Sequence, residues 1–240
     1  MHPLLAIVKK TPNIQRELLK SIHNKDYSCK AISFINPFSY QLLRNKKDSY
    51  KNIDHYHSDA IISSWVFKKL LNQDTPRVSF DYGSFAKYFF ETAEENQLKI
   101  FILGSKESEL KGAITQFKKY YPKLNICGYH NGYFDDDNKI LEYIKLSKAN
   151  YVICGLGTPK QDEFAQLIKQ SLPLQIKQIY TCGGFLHQSK NKVNYYPRVI
   201  NKYNLRWLYR MFKEPKVAKR LATQYPMFCF FVLFDHLKKQ

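Results

Sequence analysis

Residues 151–170 read YVICGLGTPKQDEFAQLIKQ, and this stretch decides which fold the rest of the chain has to complete. Residues 151–154 form a short apolar run that ends at a glycine, which predicts a buried strand. A glycine turn follows, and residues 160–170 then have the pattern of a helix. A strand, a glycine turn and a helix in this order form the unit from which parallel α/β sheets are built.

The same alternation extends in both directions from this stretch. Further strands are predicted at residues 31–35, 60–62, 99–103, 125–128 and 178–182. Helices are predicted between them at residues 38–44, 65–71, 85–96, 107–121 and 139–147. This spacing predicts the α/β fold class, as a Rossmann-like, mostly parallel sheet flanked by helices. Such sheets bind ligands at the carboxyl ends of their strands.

The pattern changes after Pro197, where the chain becomes helical, basic and aromatic. In residues 198–240, Lys and Arg outnumber Asp and Glu ten to two. Pro215 and Pro226 are predicted to separate three pieces of this region, because proline disfavours a helix interior. The three pieces are residues 199–213, 216–224 and 227–234.

We therefore expect two parts, an α/β domain over residues 1–197 and a helical appendage over residues 198–240. Four apolar side chains of the appendage share one helical face: Trp207, Leu208, Met211 and Phe212. Such a face either packs on the domain or lies in a membrane interface that carries anionic lipid. We favour the membrane interface, because the aromatic run at residues 227–234 follows it.

Composition narrows the kinds of partner. Lys and Arg total 38 against 20 Asp and Glu, a formal net charge of +18, which favours phosphates, nucleotides, nucleic acid or anionic lipid. The five cysteines are scattered without a CxxC pair, so we expect no disulfide framework or structural zinc, and a reducing cytoplasm. We expect neither a signal peptide nor a spanning helix, since no apolar run approaches about 20 residues.

Glycine turns follow three of the predicted strands, at residues 104–105, 155–162 and 183–185. Each turn is either a tight strand–helix connection or part of a ligand site. At residues 155–162, helix capping explains Thr158 as the N-cap and Pro159 as the first helical residue. Capping does not explain Gly-x-Gly beside Lys-Gln, so we favour a ligand site there. Three such turns side by side suit an extended ligand, such as a nucleotide diphospho-sugar.

Two clusters have the residue types of a metal site, but simpler interpretations fit them better. The acidic residues 135–137 precede a helix, where carboxylates in a solvated turn are favoured by the helix dipole. His55 and His57 have no evident third ligand. We expect no metal ion and no other cofactor.

Four collinear segments resemble the WecG/TagA/CpsF family of bacterial glycosyltransferases, and the resemblance extends from about residue 32 to residue 228. The first three segments are FILGS at 101–105, GYHNGYF at 128–134 and GLGTPKQD at 155–162. The fourth comprises Pro197, the sequence WLYR at 207–210 and Glu214-Pro215.

The resemblance implies an inverting glycosyltransferase. Its donor would be a UDP-sugar, of the N-acetylmannosamine type or another hexose, and no metal would be obligatory. Its acceptor would be a sugar on polyprenyl diphosphate at the cytoplasmic face of the membrane. The products would be cell-surface polysaccharides: wall teichoic acid, enterobacterial common antigen, capsule or other exopolysaccharide. The implied partners are donor, acceptor and membrane surface, without nucleic acid, and homo-oligomer formation stays open.

The resemblance also implies which residues bind the substrates. The donor site would be shaped by Gly104, Ser105, Tyr133, Gly155, Thr158, Pro159, Gln161, Gly184 and Phe185. Diphosphate or lipid headgroups would be bound by Arg206, Arg210 and Arg220.

The expected general base is the point at which this sequence departs from the family. The family's Asp-Gly falls at Ser64-Trp65, and an inverting transfer needs a base that serine cannot supply unaided. Two carboxylates lie near in the sequence, Asp59 and Asp81. We favour Asp81, because it closely follows Arg77, which matches a family arginine suited to diphosphate.

Asn36 and His187 complete the expected catalytic group. Asn36 is retained from the family's first motif. His187 stands where the family has an aspartate, and an imidazole can act as a base near neutral pH.

Two other function classes stay open. The missing Asp-Gly favours a catalytically silent relative that binds nucleotide sugar or scaffolds an assembly complex. The net charge alone favours a nucleic-acid-binding protein, for which the sequence has no helix-turn-helix, zinc finger or RNP motif.

Overall fold

The computed structural model describes residues 1–72, 76–195, 200, 206–213 and 215–237. Its strands are β1 (Lys30–Ile35), β2 (His55–Ser58), β3 (Ile100–Gly104), β4 (Ile126–His130), β5 (Tyr151–Gly155) and β6 (Gln178–Thr181). The helices of the first half are α1 (Pro3–Lys9), α2 (Ile14–His23), α3 (Pro37–Leu43), α4 (Ile61–Leu71) and α5 (Phe85–Glu95). Those that follow are α6 (Glu107–Tyr120), α7 (Asp137–Ser147), α8 (Lys160–Ser171) and α9 (Phe185–Ser189). Two more are named here by position, the helix Arg206–Lys213 and the C-terminal helix Pro215–Leu237.

Within the described residues the strands form one six-stranded sheet in the order β2-β1-β6-β5-β3-β4, and every neighbouring pair is parallel. The predicted α/β class with a Rossmann-like sheet is confirmed. Parallel strands end at the same edge of a sheet, so the loops that follow them lie side by side there. We call this edge the carboxyl edge.

Helices cover both faces of the sheet, and in the described ranges the buried apolar side chains form two clusters. One cluster packs α1, α3, α4, α7, α8 and the C-terminal helix against the sheet. The other packs α2, α5, α6 and α9 on the opposite face. The central strands are buried on both faces, which is why their sequences are continuous apolar runs.

The strand predicted at residues 60–62 was wrong. These residues lead into α4, which begins at Ile61, and the strand of this region is β2, at His55–Ser58. A short apolar run cannot be assigned to strand or helix by periodicity alone. Here the run continues into the apolar inner face of α4, where Val66, Phe67 and Leu71 are buried.

The break predicted at Pro226 was also wrong, since the C-terminal helix continues through this proline. A proline removes one backbone hydrogen bond, and the packing that follows it offsets this cost. Phe228 and Val232 are fully buried, and the Asp235 carboxylate pairs with the Arg44 guanidinium at 2.7 Å.

The division at residue 197 stays a prediction. Of the appendage, the last turns of the C-terminal helix share the cluster that contains α3 and α4. No helix in the described ranges has both the length and the apolar character needed to span a bilayer.

Candidate functional site

The loops after β3 and β5 meet at the centre of the carboxyl edge. A Cβ on Gly104 would lie 2.3 Å from the backbone oxygen of Gly155, and Gly104 has φ +135°, so both space and conformation demand glycine. Gly155 is enclosed as well, with the Cys182 sulfur 2.9 Å from the place of a Cβ. These two predicted site residues therefore allow the strands to pack closely.

Like Gly183 in the loop after β6, Gly157 faces open space. It has φ +77°, and a Cβ placed there would have no neighbour within 4 Å. The expected helix cap differs in detail: Pro159 occupies the N-cap position, follows a cis peptide bond, and α8 begins at Lys160 without a side-chain cap. Thr158 instead accepts a hydrogen bond from the Gln161 side chain at 3.3 Å. The backbone around Gly157 is therefore open to a ligand.

Gln161 joins two of the predicted glycine turns. Its side chain is buried, and its Oε1 accepts a hydrogen bond from the Gly183 backbone N–H at 3.1 Å. Because its amide also donates to Thr158, both ends of Gln161 contact protein. It fixes the loop after β6 against the loop after β5.

Asp162, next to Gln161, joins α8 to strands β1 and β2 through hydrogen bonds. It is fully buried, and its Oδ1 accepts hydrogen bonds from the Ser33 hydroxyl at 2.6 Å and the Tyr56 hydroxyl at 2.9 Å. Burial raises its pKa to about 6, although these hydrogen bonds favour the ionised form. The sequence did not single out Asp162 for a role, because only the folded chain brings β1 and β2 beneath α8.

The structure corrects the assignment of Phe185 to the donor site. Phe185 is 3% exposed, and its ring stacks on Phe117 with centroids 5.6 Å apart. It belongs to the core under α9, where a substrate does not reach. Gly184 stands at the start of α9, and the nearest atom to a Cβ there would be 3.9 Å away, in the Gln188 side chain.

A hydrogen-bonded cluster joins α6 to α9 at the carboxyl edge, and its central residue is Glu109. The Glu109 carboxylate accepts hydrogen bonds from Ser105 Oγ at 2.6 Å and Lys190 Nζ at 3.3 Å, and it lies 2.7 Å from His187 Nδ1. Burial opposes ionisation of Glu109, but these partners outweigh it and hold its pKa at about 2. The His187 side chain is 58% exposed, so a carboxylate bound at Nδ1 leaves Nε2 directed away from Glu109. Ser105 and His187 were predicted separately, and Glu109 was missed.

Tyr133 lies near the far end of the same edge, in the loop after β4. It is 71% exposed, and its backbone N–H donates to Asn131 Oδ1 at 2.9 Å. Its neighbour Gly132 touches the loops after β3 and β5, where a Cβ would lie 3.0 Å from Leu156 and 3.2 Å from the Ser105 nitrogen. Tyr133 therefore offers an aromatic face beside the glycine loops.

The opposite end of the edge carries a cluster of two carboxylates and one guanidinium. Asp59 directly follows β2, and Arg77 donates to its backbone oxygen at 2.9 Å and approaches its carboxylate at 3.5 Å. Arg77 also donates to the Asp81 carboxylate at 3.1 Å. The residues Asp59, Arg77 and Asp81 span 22 positions of the sequence, and their side chains form one network of charged groups.

The two carboxylates have different surroundings. The Asp81 carboxylate also accepts hydrogen bonds from the Ser79 hydroxyl and from the Gly83 backbone N–H, and its side chain is 15% exposed. The Asp59 side chain is 33% exposed. Ser64, where the family's Asp-Gly was placed, lies within α4, whereas Asp59 stands at the end of a strand. The Asp59 side chain is therefore the more exposed of the two.

Asn36 lies beside Asp59, since the Asp59 backbone N–H donates to the oxygen of Ile35 at 2.8 Å. Asn36 caps α3, and its Oδ1 accepts hydrogen bonds from the backbone N–H groups of Phe38 and Ser39, each at 3.0 Å. The side-chain oxygen of Asn36 thus caps α3.

The contacts described so far do not involve the three arginines predicted to bind diphosphate or lipid, the possible metal-binding clusters, or His57. The side chains of Arg206, Arg210 and Arg220 fall outside the described part of the structure. Across the described residues, no group of three His, Cys, Asp or Glu side chains is arranged to hold a metal ion. Burial lowers the pKa of His57 to about 3, as expected for a neutral core histidine.

Comparison with known proteins shows that a chain with this fold and this sequence is a glycosyltransferase. The chain belongs to the glycosyl transferase WecG/TagA/CpsF family, whose model matches residues 8–240. This result confirms the family resemblance.

Among similar proteins is a UDP-Gal:alpha-D-GlcNAc-diphosphoundecaprenol beta-1,4-galactosyltransferase of Shigella boydii. It is 33% identical over 97% of this chain and 96% of its own. Two others are N-acetylglucosaminyldiphosphoundecaprenol N-acetyl-beta-D-mannosaminyltransferases. That of Bacillus subtilis is 26% identical over 64% of this chain and 59% of its own, and that of Staphylococcus aureus is 28% identical over 55% and 51%.

Proposed function

We propose that this protein transfers a hexose from a UDP-sugar to an N-acetylglucosamine carried on polyprenyl diphosphate, with inversion at the anomeric carbon. The product would enter a cell-surface polysaccharide such as capsule, teichoic acid or another exopolysaccharide. The observation that carries the proposal is the carboxyl edge, where the Asp59–Arg77 pair lies at one end and open glycine loops lie at the centre. The names of the relatives, which act on diphosphoundecaprenol-linked N-acetylglucosamine, support this substrate class.

In the proposed reaction Asp59 is the general base. It accepts the proton of the acceptor hydroxyl as that oxygen forms a bond to the anomeric carbon of the donor. The bond from this carbon to the diphosphate of UDP breaks on the opposite side, and the electron pair leaves with UDP. The exposure of Asp59 and its place at the end of β2 support this role.

Arg77 has a positioning role in this proposal, as the link between Asp59 and Asp81. Asp81, enclosed by its own loop, holds the guanidinium in place. Asn36, beside Asp59, is proposed to donate a hydrogen bond from its amide nitrogen to the acceptor.

On the donor side, His187 is proposed to contact the nucleotide through Nε2, with Glu109 fixing the orientation of the ring. The backbone at Gly157 and at Gly183-Gly184 is proposed to lie against the diphosphate and sugar, because a Cβ on Gly157 or Gly183 would have no neighbour within 4 Å and one on Gly184 would approach only Gln188, at 3.9 Å. Tyr133 is proposed to stack on the nucleobase. The reaction is proposed to need no metal ion.

Galactose is the first donor sugar to test, because the relative that matches over nearly the full length of both chains is named for UDP-Gal. That relative is named for a β linkage, and UDP-galactose carries an α-linked sugar, which supports the proposal that the transfer by this protein is inverting. N-acetylmannosamine is the second donor to test, after the shorter matches.

We also propose that the protein binds the inner face of the cell membrane through the C-terminal helix. Phe228 and Val232 on one face of this helix are buried, while its outer face exposes Met227 (49%), Phe230 (66%) and Leu237 (69%). A helix that is apolar on its outer face, in a strongly basic protein, suits a lipid surface.

The test is release of UDP in the presence of a lipid-diphosphate-linked N-acetylglucosamine, measured for a panel of UDP-sugars with and without EDTA. Release that requires the acceptor supports the proposal, and no turnover with any donor contradicts it.

Replacement of Asp59 with asparagine tests the base. We expect kcat to fall by about 10²- to 10⁴-fold, the usual effect of losing a general base, while UDP binding is unchanged. Asp81→Asn is the matched control, and it should reduce kcat less, because it loosens Arg77 without removing the base. If Asp81→Asn alone abolishes turnover, the two roles are reversed.

The alternative function, a silent relative that binds nucleotide sugar or scaffolds an assembly complex, was favoured by the serine at the expected base position. The carboxylate of Asp59, directly after β2, weakens this argument because it offers another candidate base. UDP-sugar binding without transfer to any acceptor would support the alternative.

A further inference from the structure

Helix α4 exposes two large apolar side chains on its outer face. Ile61 is 47% exposed and Trp65 is 60% exposed, and residues four apart lie on the same side of a helix. A surface helix of a globular protein normally carries charged or polar residues on its solvent-facing side. Single exposed apolar residues are common, but an exposed tryptophan one turn from an exposed isoleucine needs a reason.

Folding already uses the opposite face of α4. Ser63, Val66, Phe67 and Leu71 are buried there, and the Phe67 ring lies 5.7 Å from the ring of Phe228 in the C-terminal helix. Ile61 and Trp65 therefore contribute little to this packing. Their apolar surface is available for a partner.

The C-terminal helix, which packs beside α4, has the same construction. Both helices cover the same hydrophobic cluster on one face of the sheet, so their outer faces point away from the same core. The outer face of the C-terminal helix exposes Phe230 (66%), Phe234 (48%) and Leu237 (69%). Two neighbouring helices thus present apolar side chains on the same side of the molecule.

We propose that α4 is part of the membrane-binding surface, and that Trp65 enters the interfacial region of an anionic bilayer. Charge favours a lipid occupant, since Lys68 and Lys69 in the next turn are exposed and the whole chain carries +18. Tryptophan, like tyrosine, is also enriched at the level of the lipid headgroups.

This inference rests on the proposed function and adds the orientation of the active site. Asp59 lies two residues before α4. A bilayer that contacts Ile61 and Trp65 would place Asp59 close to the headgroup level, where a polyprenyl-diphosphate-linked sugar is exposed. The acceptor sugar would then reach the base without leaving the membrane surface.

The chain has two tryptophans, Trp65 and Trp207, so a Trp207→Phe variant makes Trp65 the sole tryptophan reporter. We expect its emission to shift to shorter wavelength on addition of vesicles of phosphatidylglycerol and phosphatidylcholine, and to be quenched by brominated lipid. Co-sedimentation with the same vesicles measures binding independently. If the variant binds vesicles but Trp65 emission stays unshifted and unquenched, the inference is wrong, although the proposed function survives.

Substitution gives a second measurement. We expect the double variant Ile61→Asn, Trp65→Gln to bind the vesicles about tenfold more weakly or worse, because two apolar side chains lose their burial. Leu174→Asn is the matched control: Leu174 is 101% exposed and lies between α8 and β6, at the opposite edge of the sheet.

Three outcomes separate the alternatives. Transfer to a detergent-dispersed acceptor should be kept in the double variant, while transfer to an acceptor in vesicles should fall. Loss of both activities would mean that the substitutions disturb the enzyme itself, which overturns the inference. A Trp65 emission shift that follows protein concentration without vesicles, with a rise in mass by light scattering, would assign this surface to a second copy of the chain instead.

Discussion

Replacing Asp162 with asparagine should change how the stability of this protein depends on pH. Asp162 is fully buried, and burial raises its pKa to about 6, despite the hydrogen bonds that it accepts from Ser33 and Tyr56. An unfolded aspartate has a pKa of about 3.9, so the folded protein favours the protonated form. Because the folded pKa is the higher one, the stabilisation is complete only below about pH 4, and it is lost as the pH rises to about 6.

The magnitude follows from the difference between the two pKa values. A difference of about two units corresponds to about 3 kcal/mol, at about 1.36 kcal/mol per unit. Part of this is already lost at pH 4, because that pH is close to the unfolded pKa. We therefore expect the free energy of unfolding of the wild type to fall by about 2 to 3 kcal/mol relative to that of Asp162→Asn between pH 4 and pH 7.5. The asparagine oxygen can still accept from both hydroxyls, and the side chain no longer titrates.

The assay is urea unfolding followed by circular dichroism, at half-unit steps from pH 4 to pH 7.5, for the wild type and the variant. Asp135→Asn, which changes an exposed carboxylate, serves as the control and should run parallel to the wild type. If the wild-type and Asp162→Asn curves also run parallel, Asp162 does not carry the raised pKa and the reasoning fails.

Three further predictions concern other parts of the structure. Glu109→Gln should raise KM for the UDP-sugar about tenfold with little change in kcat, because the carboxylate that orients His187 is lost. An unchanged KM in steady-state assays would show that Glu109 does not act in the donor site. Gly104→Ala should lower stability by about 3 kcal/mol or more in thermal unfolding, since its Cβ would lie 2.3 Å from a backbone oxygen of β5; a melting temperature within 2 °C of wild type, roughly 1 kcal/mol or less, would contradict this. Asp235→Asn should cost about 3 kcal/mol in urea unfolding, because it leaves the Arg44 guanidinium, whose side chain is 13% exposed, without its buried carboxylate; a cost below about 1 kcal/mol would show that the ion pair does not anchor the C-terminal helix.

Of the strands that were predicted correctly, β1, β3, β5 and β6 lie inside the sheet, and β4 is an edge strand. β3 and β5 are buried on both faces, so each is a continuous apolar run that predicts a strand without any knowledge of the fold. β2 was missed because its sequence, HYHS, looks polar. Only the structure shows that His57 packs against Phe34, with ring centroids 5.8 Å apart, and that burial lowers its pKa to about 3 so that it stays neutral.

The same distinction applies to the site. The sequence by itself determined the α/β class, the family and the glycine turns, because strand periodicity, backbone freedom and short motifs are local properties. Tertiary structure alone decided which side chains act together. Glu109 meets His187 across 78 positions of the chain, and Arg77 meets Asp59 across 18, and no local pattern encodes either contact. The parallel sheet brings these residues to one edge. Tertiary structure also decides the charge of single groups: hydrogen-bond partners lower the pKa of Glu109, and burial raises that of Asp162.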